Sequence, residues 1–261
     1  MTILERHDAD AVATLTMNAP ARLNALSDEM LAALQAQLDA LASDHSIRAV
    51  IIRGTGKAFC AGHDLKQMTA ARQADDGGRA YFKDLFDRCA NMMTSVQRIP
   101  QPVIAQVHGI ATAAGCQLVA SCDMAVAADD TRFGVNGVNI GLFCSTPMVA
   151  LTRNITKKQA FEMLTTGQFI NAPRALELGL INKSVPLDQL EITTAKLAQT
   201  VAAKLGTALR IGKQAFYAQA EMGLDAAYAY TGAVMVENML DQDTKEGISA
   251  FLDKRNPNWN Q

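Results

Sequence analysis

Ala58-Phe59-Cys60-Ala61-Gly62-His63-Asp64-Leu65 follows an apolar run over residues 49–53. A second stretch of the same kind follows the apolar run 102–107 and reads His108-Gly109-Ile110-Ala111-Thr112-Ala113-Ala114-Gly115-Cys116. Small residues let a ligand touch the main chain, and a helix that begins near Ala114 would add its positive N-terminal end. The two stretches together predict two backbone N–H groups that converge on one oxygen atom and stabilise negative charge there.

Length and composition indicate an ordinary soluble globular protein. The 261 residues are 49% hydrophobic and 19% charged, with a formal net charge of −2. A chain of this length can bury a full core, and we favour one domain with a smaller appendage over one large domain. Positive and negative residues are interspersed, so neither nucleic acid nor a membrane surface is expected as a partner. No apolar run approaches membrane-spanning length.

The cysteines indicate a reducing compartment. There are five of them, with no C-x-x-C pair, which favours free thiols over a disulfide framework. The first ten residues include acidic side chains and no apolar run, so neither a secretory signal nor a transit peptide is predicted. These observations predict a cytoplasmic protein.

Short strand candidates alternate with helical patterns, and their spacing favours mainly parallel pairing in an α/β fold. A helix capped by Ser27 and a second, methionine-rich helix after Tyr81 are both expected to face the core, although the methionines of the second would also suit a flexible wall for an acyl chain. The polar stretch 68–79 is predicted to be a mobile loop. The strand candidates are residues 12–17, 49–53, 102–107, 124–128 and 183–185.

Beyond residue 186 the strand pattern ends and helical patterns follow. We expect a core over residues 1–186 and a helical C-terminal domain over 187–261. Its helices carry apolar residues on several sides, which is typical of an oligomerisation surface or of helices that cover their own sheet. The predicted helices are 187–205, 208–222, 224–239 and 245–254.

Four motifs in a fixed order carry a resemblance to a known family. They are Leu15-Thr16-Met17-Asn18-Ala19-Pro20 with Leu23-Asn24-Ala25-Leu26, then Gly54-Thr55-Gly56-Lys57 leading into the stretch 58–65, then Cys116-Gln117-Leu118 leading to Cys122-Asp123, and the tail Lys245-Glu246-Gly247-Ile248-Ser249-Ala250-Phe251-Leu252-Asp253-Lys254-Arg255. On these residues the sequence resembles the enoyl-CoA hydratase/isomerase family, also called the crotonase family. The resemblance implies a crotonase-like spiral of ββα units closed by a C-terminal helical domain, assembled as a homotrimer or as a dimer of trimers.

The resemblance also implies a substrate class and a binding site. Family members bind acyl-CoA thioesters and polarise the thioester carbonyl with two backbone N–H groups, which by position fall on His63 and Ala114. Coenzyme A would enter as part of the substrate, and neither a prosthetic group nor a metal is expected. The residues that resemble CoA contacts are Arg22, Leu23, Ala61, His63, Asp64, Leu65 and Lys66, with Phe251 and Lys254 supplied by a neighbouring subunit.

The sequence departs from the family where the catalytic glutamates stand. The first position reads Gln117 and the second reads Gly137, and neither an amide nor glycine serves as a general base near neutral pH. Other branches place an acidic residue eight positions after the second site, and here that position is Ser145. Ordinary two-glutamate hydration of a 2-enoyl-CoA is therefore not expected. The loop around Cys144 resembles a hydratase-like branch that we associate with fatty-acyl metabolism.

Each remaining candidate has a chemical and a structural interpretation. Cys144 or Ser145 would act as a nucleophile or orient water, but we favour a structural role in which Cys144 packs and Ser145 caps the helix that begins at Pro147. The His63 imidazole is the first candidate for proton transfer. Asp64 is expected to brace its loop, and Asp123 is expected to be structural.

Other site types fit the sequence less well. No cluster has metal-ligand spacing, no Walker or dinucleotide motif is complete, and no plausible Ser, His and Asp set is found. Two hypotheses follow. The protein is an acyl-CoA enzyme of the lyase or isomerase class that stabilises an enolate-type oxyanion, or it binds CoA thioesters without catalysis. We favour the enzyme.

Overall fold

The structure, a computed structural model, describes residues 2–259. Within that range nine strands form a six-stranded sheet in the order β1-β2-β3-β4-β6-β9 and a three-stranded sheet in the order β5-β7-β8. The strands are β1 (Leu4–Ala9), β2 (Val12–Met17), β3 (Ala49–Gly54), β4 (Val103–Val107), β5 (Ile110–Thr112), β6 (Met124–Ala128), β7 (Arg132–Gly134), β8 (Ile170–Asn171) and β9 (Lys183–Val185).

The large sheet is parallel except at one edge. Strands β2, β3, β4, β6 and β9 pair in parallel, which confirms the predicted α/β pattern. Only β1 is antiparallel to its neighbour β2. The two are joined by Asp10 and Ala11, both with positive φ, which is the two-residue turn that suits a twisted hairpin. The sequence pattern missed β1 because most of this edge strand is polar and exposed.

The three-stranded sheet forms a second layer, and the order of its strands along the chain shows why the chain forms a spiral. Strand β5 directly follows β4, and β7 follows β6, so each turn contributes one strand to each layer. Isolated bridges between Leu26 and His63 and between Cys60 and Ala111 continue the second layer beyond β5. The fold class is confirmed as a crotonase-like α/β spiral with a helical C-terminal part.

Helices cover both faces of the sheets. Ser27 caps α1 by accepting a hydrogen bond from the Met30 N–H at 3.3 Å, as predicted. The methionines Met92 and Met93 of α3 are buried in the main core, as expected, and Met93 also borders a cavity beside Gln117. The helices are α1 (Asp28–Ala42), α2 (Leu65–Ala71), α3 (Arg79–Arg98), α4 (Ala114–Ser121), α5 (Pro147–Asn154), α6 (Lys157–Thr166), α7 (Ala172–Leu178), α8 (Leu187–Ala202), α9 (Gly206–Gln219), α10 (Leu224–Leu240) and α11 (Gln242–Leu252).

The prediction of a loop over residues 68–79 is wrong in its first part, because α2 extends to Ala71. The Asp64 carboxylate starts this helix by accepting hydrogen bonds from the N–H groups of Lys66 and Gln67, at 2.9 and 3.3 Å. Such an N-cap is typically worth about 1 kcal/mol. The remaining loop, residues 72–78, connects α2 to α3.

The C-terminal helices differ in how they contact the core. Leu190, Ala198 and Ala202 of α8 pack on apolar side chains of the large sheet, so α8 covers the sheet of its own chain. Helices α10 and α11 expose Leu224, Tyr228 and other apolar side chains. Among the described residues, no helix is both long and apolar enough to cross a bilayer. A division of the chain between residues 186 and 187 stays a prediction.

Candidate functional site

The two stretches singled out in the sequence lie side by side. Cys60 N–H donates to the Ile110 carbonyl at 3.2 Å, and Thr112 N–H donates to the Cys60 carbonyl at 3.0 Å. The loop after β3 and the loop after β4 are therefore joined as neighbouring strands at the same end of two parallel strands. This arrangement brings His63 and Ala114 into one region.

The peptide between Gly62 and His63 has a fixed orientation. The Gly62 carbonyl accepts a hydrogen bond from the Leu26 N–H at 2.7 Å. Because the peptide unit is planar and trans, the His63 N–H points away from Leu26, towards the side where the second loop lies. Gly62 has φ of +87°, and a Cβ added there would lie 2.9 Å from the Ala113 Cβ. Only glycine allows this backbone conformation together with this close approach.

The second N–H stands at the start of α4. The Ala113 carbonyl accepts the Gln117 N–H at 3.0 Å, so the Ala114 N–H points out of the N-terminal end of the helix. Ala113 itself has φ 50° and ψ −120°, a conformation that costs a non-glycine residue free energy of order 1–3 kcal/mol. Its N–H is held by the Gly134 carbonyl at 2.9 Å. Across residues 2–259, neither the His63 N–H nor the Ala114 N–H forms a hydrogen bond.

The His63 side chain is largely buried against Phe86, and the charges of Arg88 and Asp28 also act on it. Its ring packs edge-on against Phe86 with 5.7 Å between ring centroids, and both ring nitrogens are buried without a hydrogen-bond partner in the described chain. Burial lowers the pKa of this imidazole, while the nearby Leu26 carbonyl acts in the opposite direction. His63 is therefore expected to be neutral at pH 7.

Most of the predicted CoA contacts form one surface. The Leu23 carbonyl accepts the Ala61 N–H at 3.0 Å, which joins the segment before α1 to the first loop. The Arg22 guanidinium lies 3.8 Å from the Asp64 carboxylate. Leu65 and Lys66 are exposed beside them. Asp64 braces its loop, as predicted, through its cap on α2.

Asn24 organises this surface and was not singled out in the sequence as a site residue. It is fully buried, and its Nδ2 donates to the carbonyls of Thr55 and Ala58, each at 2.8 Å. Its Oδ1 accepts the Ala19 N–H at 2.9 Å. The signal available in the sequence was its place in the motif Leu23-Asn24-Ala25-Leu26.

Phe251 and Lys254 do not join that surface within one chain. Phe251 is 80% exposed on α11 and borders a groove with Leu205 and Trp259. Across residues 2–259, no hydrogen bond or ion pair connects either residue to the loops of the site. Their assignment to a neighbouring subunit stays a prediction.

Gln117 occupies the first missing glutamate position. It is 5% exposed, and its Oε1 has no hydrogen-bond partner in the described chain. Together with Thr146, Val149 and Arg153 it borders a cavity of about 270 Å³ between α3, α4 and α5. The amide is uncharged, so it positions or recognises a group rather than removing a proton.

Gly137 occupies the second missing position, in a tight turn over Asn136–Ile140. A Cβ added there would collide with the Leu142 carbonyl and lie 2.9 Å from the Cys144 Sγ. A glutamate therefore cannot stand at this position without movement of the loop over residues 142–144.

Cys144 and Ser145 do not form an activated nucleophile. Burial raises the pKa of the Cys144 thiol, which keeps it protonated and unreactive near neutral pH, and the side chain packs in the main core. The prediction that Ser145 caps α5 is wrong: its hydroxyl donates to the Phe143 carbonyl at 3.4 Å. Thr146 stands at the cap position and makes no side-chain cap bond, because the turn closes earlier through the Met148 N–H and the Cys144 carbonyl.

Asp123 has a structural role, as expected, but its partners come from the C-terminal helices. Its carboxylate accepts hydrogen bonds from Lys213 Nζ at 2.7 Å and from the Tyr217 hydroxyl at 2.8 Å. Lys213 Nζ also donates to the carbonyls of Val96 and Gln101. This buried network fixes α9 to the core. Within the part of the chain that the structure describes, no three His, Cys, Asp or Glu side chains form a metal-binding group.

A family model described as enoyl-CoA hydratase/isomerase matches residues 7–261. The chain belongs to the enoyl-CoA hydratase/isomerase family. A solved structure from Mycobacterium smegmatis, titled as an enoyl-CoA hydratase, is 50% identical, with all of both chains covered and a TM-score of 0.96. The structure of human enoyl-CoA hydratase domain-containing protein 3 is 42% identical over 98% of this chain and 100% of its own, with a TM-score of 0.94. The Xenopus laevis protein of that name is 44% identical over 99% of this chain and 86% of its own.

The prediction of a cytoplasmic location is contradicted by these relatives. The Xenopus protein and its mouse and human counterparts are named as mitochondrial. The prediction rested largely on the free cysteines, which do not distinguish one reducing compartment from another. The free, buried cysteines indicate a reducing environment, which is not unique to the cytoplasm.

Proposed function

We propose that this protein binds an acyl-CoA thioester and stabilises an enolate-type oxyanion on the thioester carbonyl through the N–H groups of His63 and Ala114. The observation that carries the proposal is the pair of N–H groups on adjoining loops, neither of which has an acceptor among residues 2–259. Negative charge on the thioester oxygen would supply that acceptor. Preorganised donors in a partly buried site are worth about 10²–10³ in rate each.

The surface around the first loop supports a CoA thioester as the ligand. Arg22 and Lys66 place exposed positive charges beside Leu23, Ala61 and the buried Asp64 cap, and CoA carries phosphate groups that such charges attract. CoA enters as part of the substrate, and stabilisation by N–H groups requires neither a prosthetic group nor a metal. The exposed apolar side chains of α10 and α11 support assembly as a homotrimer or a dimer of trimers, in which a neighbouring subunit contributes Phe251 and Lys254.

The reaction differs from ordinary hydration. No carboxylate stands at Gln117, Gly137 or Ser145, so two-glutamate activation of water is not available. We infer a lyase- or isomerase-type step on a fatty-acyl or related thioester, in which water or the substrate itself handles the proton. The oxyanion site then carries most of the rate enhancement.

A non-catalytic CoA-thioester binding protein is the second candidate. It is favoured by one observation: the groups nearest the missing glutamates are an amide, a glycine and a protonated thiol, and none of them transfers a proton readily at pH 7. On this interpretation the N–H pair gives affinity for the thioester carbonyl without turnover.

The test combines binding with hydrogen–deuterium exchange at the α-carbon of a panel of acyl-CoAs in D₂O. Exchange above the solution rate supports the enzyme, and tight binding without exchange supports the binding protein. Ala114→Pro removes one N–H donor and is expected to lower exchange by about 10²-fold, whereas Ala114→Gly keeps the donor and is expected to stay close to wild type. Unchanged exchange in Ala114→Pro would refute the proposed oxyanion site.

A further inference from the structure

A further pocket lies beside the large sheet, at the opposite end of its parallel strands from the proposed thioester site. Arg48 and Gln101, directly before β3 and near the start of β4, form part of its wall, and Thr207 and Arg210 of α9 form another part. Because β3 and β4 are parallel, residues before them and loops after them lie at opposite ends of the strands. A strand of this length separates the two regions by roughly 15–20 Å.

The pocket is positively charged. Arg48 and Arg210 are half-buried, and the exposed His45 lies beside them. No Asp or Glu borders the pocket among the described residues. Neither arginine forms an ion pair with a carboxylate of the described chain. The adjacent Asp44 carboxylate is occupied by Arg6 at 2.7 Å and by the Ser46 hydroxyl at 2.6 Å. The two guanidinium groups are therefore available to an external anion.

The geometry points to a small phosphate monoester as the ligand of this pocket. A single carboxylate pairs with one guanidinium group, whereas the three terminal oxygens of a phosphate can accept hydrogen bonds from two guanidinium groups at once. The cavity volume of about 330 Å³ lies at the small end of the range for small-molecule sites. It leaves room for an organic group beside the phosphate.

The pocket also spans the junction between the core and α9. The carbonyl of Gln101 accepts a hydrogen bond from Lys213 at 2.8 Å, and Arg210 lies on the same helix as Lys213. A ligand that bridges Arg48 and Arg210 would therefore add a second attachment of α9 to the core. Because it binds only the folded protein, it would raise the melting temperature in a concentration-dependent manner.

The experiment measures binding of glycerol 3-phosphate to the full chain by calorimetry, with inorganic phosphate and glycerol as comparison probes. We expect glycerol 3-phosphate to bind and glycerol not to bind. Weaker binding of inorganic phosphate would show that the organic group contributes, and equal binding would identify free phosphate as the ligand of the same anion site. Absence of phosphate binding at millimolar concentration would overturn the proposal.

Matched variants locate the site. Arg48→Gln and Arg210→Gln are each expected to weaken binding by about tenfold, the loss expected for a hydrogen bond to a charged group. Arg174→Gln, which removes an exposed charge from α7, is expected to bind as wild type. Arg210→Lys tests whether the planar guanidinium group is needed, because lysine keeps only the positive charge. This variant is expected to bind with intermediate affinity. Unchanged affinity in both glutamine variants, or an equal loss in Arg174→Gln, would refute the assignment.

Discussion

Replacing Gly62 with alanine is expected to affect the oxyanion site more than the stability of the fold. The added Cβ would lie 2.9 Å from the Ala113 Cβ and 3.2 Å from the Ala114 N. Carbon atoms make favourable contact at about 3.5–4.0 Å, so the two loops must separate by roughly 0.6 Å or more. A misplacement approaching 1 Å costs about 10²-fold in rate. We therefore expect α-proton exchange of a bound acyl-CoA to fall by about 10²-fold.

Gly179→Ala is the matched control for this prediction. Gly179 has φ of +82°, close to that of Gly62, but the nearest atom to its added Cβ is the Asn154 carbonyl oxygen at 3.8 Å. Both variants carry the cost of a left-handed alanine, about 1–2 kcal/mol, which urea unfolding measures. Only Gly62→Ala separates the loops. If both variants exchanged α-protons at the wild-type rate, or lost the same fraction of it, the inferred geometry would be wrong.

Three further predictions concern buried groups. Lys213→Met breaks the buried ion pair with Asp123, whose side chains are 5% and 15% exposed, and is expected to lower the free energy of unfolding by about 3–5 kcal/mol. Urea unfolding measures this loss, with Lys204→Met as the control. A loss no larger than that of the control would contradict the prediction. Burial lowers the pKa of His63, so between that lowered pKa and 6.5 the unfolded chain binds more protons and stability falls as pH falls. Unfolding at several pH values should show this loss in wild type and less of it in His63→Phe, which keeps the backbone N–H; identical pH profiles would count against it. Gln117→Glu supplies a buried carboxylate whose pKa is raised by burial, and it is expected to increase α-proton exchange by about 10²-fold. Gln117→Met supplies no carboxylate and is not expected to increase exchange. An exchange rate of Gln117→Glu unchanged from wild type would show that residue 117 does not face the α-carbon.

The sequence predicted those parts of the fold that depend on local pattern. The apolar runs of β2, β3, β4 and β6 and the Ser27 cap of α1 were correctly predicted because burial and capping leave a signal in neighbouring residues. Strands β5, β7 and β8, each of two or three residues, were missed, although β9 of the same length was predicted. Strands β5 and β7 form because β4 and β6 of the large sheet deliver the chain directly to the second layer, whereas β8 follows α6 and forms by pairing with β7. Both are tertiary effects.

Contacts between distant segments explain one part of the remaining differences, and local turn geometry explains another. The Asp123 carboxylate meets Lys213 and Tyr217, 90 and 94 residues further along the chain, and no local pattern indicates such a pairing. The prediction that Ser145 caps α5 was wrong although a local signal was present. A serine before a proline is a common cap, but here the Cys144 carbonyl already closes the first turn of α5. The hydrogen bond between Thr112 and Asn136, at 2.6 Å, also joins loops that are separate in the sequence.

The most direct measurement is a crystal structure of the protein with a bound acyl-CoA thioester. The account predicts the thioester oxygen at about 2.7–3.1 Å from both the His63 N and the Ala114 N, the distance required of oxyanion donors. A carbonyl that contacts neither N–H, or a ligand held with its thioester outside the two loops, would contradict it.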